Sequence, residues 1–116
     1  MALCLIMCLF TANAFAQEVR GLEIKWVKEL CRDKYGEYDA YNVKVSNRNS
    51  IPVSVTLELW RKGYVQDRYP YNQIPESLEK TKDIVLDPNE DYVWKIEIGV
   101  SYKDNYIVKY KAYKLQ

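Results

Sequence analysis

Histidine is absent from the 116 residues of this sequence. Ser-His-Asp and Cys-His catalysis both need a histidine base, and catalytic zinc is usually held by histidine ligands, so these sites are excluded. The 16 acidic residues fall on the polar faces of alternating segments or in turns, where a solvated carboxylate is the ordinary explanation. The sequence therefore predicts that the protein is not an enzyme and that it uses no metal or cofactor.

Phenylalanine and methionine are confined to residues 1–16, which also hold two of the three cysteines. This segment contains the uncharged run LCLIMCLFTANAFA and ends in the tripeptide AFA, the pattern of a secretory signal peptide cleaved before Gln17. The run is too short to cross a bilayer, which takes about 20 apolar residues. We expect residues 17–116 to form one secreted or periplasmic domain without a membrane span. Because no Lys or Arg precedes the run, a retained N-terminal anchor and a lipoprotein acylated at Cys8 stay open as alternatives.

Cys31 is the one cysteine outside this segment, so the predicted domain holds no internal disulfide. A lone thiol in an oxidising compartment is either buried and inert or available for an intermolecular bridge. Burial is favoured, because free cysteine packs as a small hydrophobe. Arg32 and Lys34 could lower the pKa of the thiol, but a thiol without a base partner is a poor nucleophilic catalyst. Cys31 is therefore predicted to be structurally silent.

Neither sign of charge dominates, since 17 basic and 16 acidic residues leave a net charge of +1. Nucleic-acid binding favours a clustered basic face, so no nucleic-acid partner is expected. The segment KYKAYK at residues 109–114 interleaves lysine with tyrosine, as in some surfaces that stack bases. Lys109 and Lys111 share one face of a strand near the chain end, however, which is typical of an edge strand protected against aggregation. We predict an edge strand here.

Short segments of alternating apolar and polar residues, separated by turn-forming residues, cover most of the remaining sequence, and none has a sustained helical period. The predicted strands are residues 22–27, 40–46, 52–60, 84–86, 92–100 and 106–115, and the predicted turns are 47–50, 87–91 and 103–105. Residues 31–39 are interpreted as a connection, and 64–83 as an excursion with at most one short strand or helical turn. The pattern is typical of an all-β protein, an antiparallel immunoglobulin-like β-sandwich of about seven short strands.

One side of these strands is predicted to form a single core. Its predicted members are Leu22, Ile24, Trp26, Val43, Val45, Val55, Leu57, Trp94, Ile96, Ile98 and Val108.

The turn DPNED at residues 87–91 offers four oxygen ligands suited to Ca²⁺, but it lacks the glycine-containing loop of the known calcium motif. A plain turn is therefore predicted there.

The segments YNVKVSNRNSIPVSVTLEL and IVLDPNEDYVWKIEI, with the last Tyr- and Lys-rich strand, resemble one known kind of domain. It is the small immunoglobulin-like sandwich domain found beside lysostaphin-type zinc peptidases in bacterial envelope proteins. The likeness covers residues 40–113 and rests on an Asn-rich turn before Pro-Val-x-Val-x-Leu and on a Pro-containing turn before a later strand. The peptidase part is absent, because it needs histidine ligands. The resemblance implies a non-catalytic envelope module and transfers no site residue.

Trp60 ends the alternating strand on its polar side, directly before the long excursion. Long irregular segments in compact domains are often functional, and Trp and Tyr are enriched in binding hot spots. Either the excursion folds back and covers these aromatic rings, or the rings form an exposed surface that holds a partner. The candidate binding residues are Trp60, Tyr64, Tyr69 and Tyr71, with Arg61 and Arg68 supplying hydrogen bonds at the rim of this surface.

The sequence is thus interpreted as a non-enzymatic binding module with a protein or glycan partner. Two alternatives stay open. A carbohydrate-binding module would stack Trp and Tyr rings of one exposed face on sugars. An inhibitor of an exported enzyme would instead project one long loop into its target.

Overall fold

A computed structural model describes residues 19–115 of the chain, so the signal peptide predicted at residues 1–16 lies outside the described residues. Eight β-strands and one 3-10 helix, which spans Val100–Asn105, account for almost all regular structure in this part. The strands are β1 (Leu22–Asp33), β2 (Gly36–Asn47), β3 (Val53–Arg61), β4 (Tyr64–Val65), β5 (Gln73–Ile74), β6 (Ser77–Leu86), β7 (Asp91–Gly99) and β8 (Tyr106–Lys114). The predicted all-β class is confirmed, with eight strands in place of about seven.

The long strands form two antiparallel sheets of three strands each. One sheet has the order β1-β2-β7 and the other has the order β6-β3-β8, while β4 and β5 pair as a separate ribbon. The chain therefore crosses from one sheet to the other after β2, after β6 and after β7. Among the strands of residues 19–115, β8 pairs only with β3, so the prediction that KYKAYK lies on an edge strand is confirmed.

The two sheets bury their facing side chains in one core, because alternate residues of a strand point to the same side. The buried core residues are Val43, Val45, Val53, Val55, Leu57, Leu59, Leu86, Trp94, Ile96 and Ala112. The predicted core residues on β2, β3 and β7 are confirmed, with the exception of Ile98. The other predicted members are only half-buried and pack around the margin of the core: Leu22, Ile24, Trp26, Ile98 and Val108.

The interpretation of residues 31–39 as a connection is wrong, because β1 and β2 continue as a ladder to the pair Asp33 and Gly36. The turn holds only Lys34 and Tyr35, and the Tyr35 backbone N–H donates to the Asp33 carboxylate at 2.8 Å. Gly36 has a φ of 125°, which side-chain-bearing residues rarely adopt. Side chains on both faces of this end of the hairpin are exposed. Its residues are therefore mostly polar and show no alternation of apolar and polar side chains.

The strand predicted at residues 84–86 begins much earlier, at Ser77. Its first seven residues are all exposed, so no apolar alternation marks them in the sequence. A bulge shifts the pairing between Leu59 and Trp60 of β3 against this strand. The excursion predicted at residues 64–83 is thus too long, and it contains the strands β4 and β5 in place of at most one. The segment that joins β3 to β6 is residues 62–76, which we call the aromatic loop.

Asn47, which is fully buried at the end of β2, fixes two turns at once. Its side-chain amide donates to the backbone carbonyls of Ile51 at 3.0 Å, Leu86 at 3.1 Å and Asp87 at 3.2 Å. Its side-chain oxygen accepts from the backbone N–H of Asn49 at 2.9 Å. The predicted turns after β2 and after β6 are thus confirmed, and one side chain joins them.

Candidate functional site

The aromatic loop leaves the sandwich where β3 ends and returns as β6. It is anchored where the Lys62 backbone N–H donates to the Asn105 carbonyl at 2.8 Å, and the β4–β5 ribbon pairs Tyr64 with Ile74. Gly63 lets the two arms approach, since a Cβ there would lie 3.0 Å from the Ile74 carbonyl oxygen. Beyond the ribbon, the Gln66 backbone N–H donates to the Asn72 carbonyl at 2.9 Å, and the Asn72 N–H donates to the Pro70 carbonyl at 2.8 Å.

The tyrosines of this loop are exposed to solvent. The exposed fractions are 49% for Tyr64, 85% for Tyr69 and 67% for Tyr71. The rings of Tyr69 and Tyr71 meet edge to face, with centroids 6.2 Å apart and planes at 81°. The interpretation of these tyrosines as buried beneath a cover is wrong, whereas their use in binding stays a prediction.

Trp60 is half-buried on the outer face of β3, where neighbouring side chains fix its ring. Its indole N–H donates to the Glu58 carboxylate at 2.9 Å. The ammonium group of Lys109 lies 4.4 Å from the ring centroid and forms an ion pair with Glu76 at 2.5 Å. One face of the indole is therefore occupied by a cation.

Arg61 lies on the opposite side of β3 from Trp60, because successive side chains of a strand point to opposite faces. Its guanidinium is 6.0 Å from the ring centroid of Tyr64 and 5.9 Å from that of Tyr106. Arg68 is exposed near the tip of the loop. The structure thus places the six candidates in separate groups around one end of the sandwich rather than on one flat surface.

A second group of aromatic residues was missed by the sequence analysis. Trp26 and Tyr41 meet edge to face at 6.2 Å, and the Lys103 ammonium lies 5.7 Å and 5.3 Å from their ring centroids. These residues are far apart in the chain, and the sequence shows only that Trp26 faces inward on β1. Lys103 reaches them from the 3-10 helix, a position that requires the tertiary structure.

Two carboxylates are stabilised in their charged form. The pKa of Glu29 is lowered by a hydrogen bond from Asn42 and by the ammonium of Lys95, which lies 3.1 Å away. The pKa of Asp91 is lowered first by a hydrogen bond from Ser46 and then by nearby cations. Both groups lie on the sheet that contains β1, β2 and β7, where they tie adjacent strands together.

Cys31 is partly buried, as predicted. Burial raises the pKa of its thiol, and the carboxylate of Glu97 raises it further. The idea that Arg32 and Lys34 lower this pKa is therefore wrong, because Arg32 is instead ion-paired with Glu37. A thiol with a raised pKa is a poor nucleophile near neutral pH.

Between residues 19 and 115, no group of three or more acidic or cysteine side chains is arranged to hold a metal ion. The DPNED segment forms the predicted turn, in which the Glu90 carboxylate accepts from the Asp87 backbone N–H at 2.8 Å. No helix in the same part of the chain is long and apolar enough to cross a membrane.

Comparisons with protein-family models, with curated proteins and with solved structures find no match for this chain.

Proposed function

We propose that the protein is an exported, non-enzymatic binding module that holds a protein partner through the aromatic loop. The observation that carries the proposal is the exposure of Tyr64, Tyr69 and Tyr71, with exposed fractions from 49% to 85%. Large rings exposed together at one end of a small domain form an effective contact surface, because tyrosine buries much area at low cost in entropy. Arg61 supplies a guanidinium at its base.

The proposed scaffold is an immunoglobulin-like sandwich, and the strand order supports it. In that fold one sheet contains strands A, B and E, and the other contains strands C and F. The sheet β1-β2-β7 corresponds to A, B and E, while β3 and β8 correspond to C and F. β6 pairs with β3 as an additional strand does in variable-type domains. Loops at the ends of such sandwiches are common binding sites.

The geometry favours a protein over a glycan as the partner. A sugar stacks on a flat ring face, but the Tyr69 and Tyr71 rings meet at 81°. The Trp60 ring has one face taken by Lys109. An inhibitor of an exported enzyme is a special case of a protein partner, and the exposed loop of residues 62–76 favours it as the second candidate.

The uncharged run in residues 1–16 supports the exported location, and the resemblance over residues 40–113 supports a bacterial envelope. Both stay predictions. A glycan array incubated with the domain is expected to give no binding, and saturable binding to a defined glycan would contradict a protein partner.

The proposed function is tested by photo-cross-linking in cells that produce the protein. A photoreactive phenylalanine analogue at residue 69 is expected to give one discrete cross-linked protein. The matched control places the analogue at residue 35, since Tyr35 is 86% exposed against 85% for Tyr69 but lies on the β1–β2 turn. Equal yields from both positions, or no product from residue 69, would contradict the proposal.

A further inference from the structure

A cleft of about 410 Å³ lies between the two sheets, on the side where β1 and β8 form the sheet edges. Ile24 and Trp26 line it from β1, and Val108 and Tyr110 line it from β8. All four are only half-buried, although they point to the core side of their strands. The apolar interior of the sandwich is therefore accessible along this side.

On the opposite side of the sandwich, the edge strands β6 and β7 bury Leu86, Trp94 and Ile96, with exposed fractions of 2%, 8% and 6%. The turn at residues 87–90 joins these two strands directly, and Lys82 of β6 lies over the Tyr92 ring of β7. The four half-buried residues of β1 and β8 that line the cleft are thus less buried than these three.

β8 has a strand neighbour on one side only, so within residues 19–115 half of its backbone N–H and C=O groups have no strand partner. In an immunoglobulin-like sandwich a last strand, G, pairs with strand F at this edge. The described chain supplies no such strand. The unpaired edge and the open apolar cleft lie side by side, as the acceptor for one additional strand would require.

The cleft is also basic. Lys25, Lys62 and Lys103 line it, against the single carboxylate of Asp104. None of the three lysines forms an ion pair with another described residue. Charge complementarity therefore favours an acidic occupant.

A second copy of this chain is disfavoured as that occupant. Lys109 and Lys111 lie on the outer face of β8, since they pair with Glu58 and Thr56 of β3. Two β8 edges joined in an antiparallel ladder would bring these lysines of both copies together, and like charges across strands are destabilising. Lys109 is ion-paired with Glu76, but Lys111 forms no ion pair with another described residue and would attract a strand that carries Asp or Glu on its outer face.

We propose that the edge of β8 takes up an extended segment of a partner protein as an additional strand. Apolar side chains at alternate positions of this segment enter the cleft. Asp or Glu side chains at the intervening positions lie on the outer face of the sheet, beside Lys111 of β8. In strand addition, main-chain hydrogen bonds supply affinity and side-chain pockets at alternate positions supply specificity. This surface goes beyond the proposed function: it uses Lys62 at the base of the aromatic loop but none of the loop tyrosines.

The test uses a capped peptide of alternating glutamate and valine, matched to the nine residues of β8. It is added at up to about 1 mM to the isotope-labelled domain, and amide chemical shifts and hydrogen exchange are recorded. We expect saturable shifts in β1 and β8 and slower exchange of the β8 amides. A lysine–valine peptide and a glutamate–valine peptide N-methylated along its pairing edge are both expected to bind at least about tenfold more weakly.

The matched variants are Lys111→Glu on the β8 edge and Lys80→Glu on the β6 edge of the same sheet. Lys111→Glu should weaken the acidic peptide by about threefold to tenfold and strengthen the basic one, whereas Lys80→Glu should change neither. The proposal is overturned if no saturable shift occurs, if the N-methylated peptide binds equally, or if the shifts fall in β6 or around Tyr69 and Tyr71. A dimer formed through β8 without any peptide would overturn it as well.

Discussion

The Asn47 side chain donates a hydrogen bond of 3.1 Å to the backbone carbonyl of Leu86, a residue 39 positions further along the chain. This contact joins the end of β2 to the end of β6, and therefore one sheet to the other. Asn47 is fully buried, so no water replaces the bond when it is broken. The side chain acts as a connection between the two sheets.

Asn47→Ala is therefore expected to destabilise the protein strongly. Three buried or part-buried carbonyls lose their donor, and we expect the free energy of unfolding to fall by about 2–4 kcal/mol. Urea denaturation followed by circular dichroism measures this. Asn72→Ala, which removes an exposed amide from the aromatic loop, is the control and should change stability by less than about 0.5 kcal/mol. Equal effects of both changes would show that Asn47 makes no such connection.

Trp94→Ala removes the largest buried side chain of the core. The cavity should lower the free energy of unfolding by about 3–5 kcal/mol, whereas Tyr35→Ala at an exposed turn should leave it nearly unchanged. Chemical denaturation of both variants is the measurement. A loss below about 1 kcal/mol for Trp94→Ala would mean that the register of β7 is wrong.

The lowered pKa values of Glu29 and Asp91 predict a loss of stability in acid. A carboxylate whose pKa is lower in the folded state stabilises the fold above its ordinary pKa, here 4.5 for Glu29 and 3.8 for Asp91. This contribution is lost as the pH falls through the lowered value. We expect the urea midpoint of the wild type to decrease once the pH is lowered below about 4.5. The difference between this midpoint and that of the double variant Glu29→Gln with Asp91→Asn should shrink over the same pH range. A difference that stays constant down to pH 2 would contradict the assignment.

Cys31 is expected to form no intermolecular bridge, because it is partly buried and its thiol pKa is raised. Non-reducing gels should show a monomer under air oxidation, and iodoacetamide should modify the folded protein more slowly than the urea-unfolded protein. A stable dimer that Cys31→Ser abolishes would contradict this.

The alternation in residues 53–59 is sufficient to predict β3, because one face of a central strand is fully buried and the other is not. The same rule fails for Ser77 to Asp83 and for the outer half of the β1–β2 hairpin, where both faces are in water. The strands β4 and β5 have two residues each, too few for any period.

The candidate site was predictable only as a set of residues. Trp60 and the tyrosines stand out as aromatics beside a proline-containing excursion, but their exposure depends on the path of the loop. The cleft between β1 and β8 gives no local signal in the sequence, because Ile24 and Val108 have the alternation of ordinary core residues. Only the pairing of the strands shows that, within residues 19–115, β8 has a strand neighbour on one side alone.

The central claim is that the aromatic loop is the contact surface for a protein. Its most direct test is the affinity, measured by titration calorimetry, for the protein that cross-links through residue 69. Tyr69→Ala with Tyr71→Ala should weaken binding by about tenfold to a hundredfold, because exposed tyrosines that anchor an interface are hot spots. Tyr35→Ala with Tyr102→Ala removes two other exposed rings and should leave the affinity within about twofold. An unchanged affinity for the first pair, or an equal loss for both, would contradict the claim.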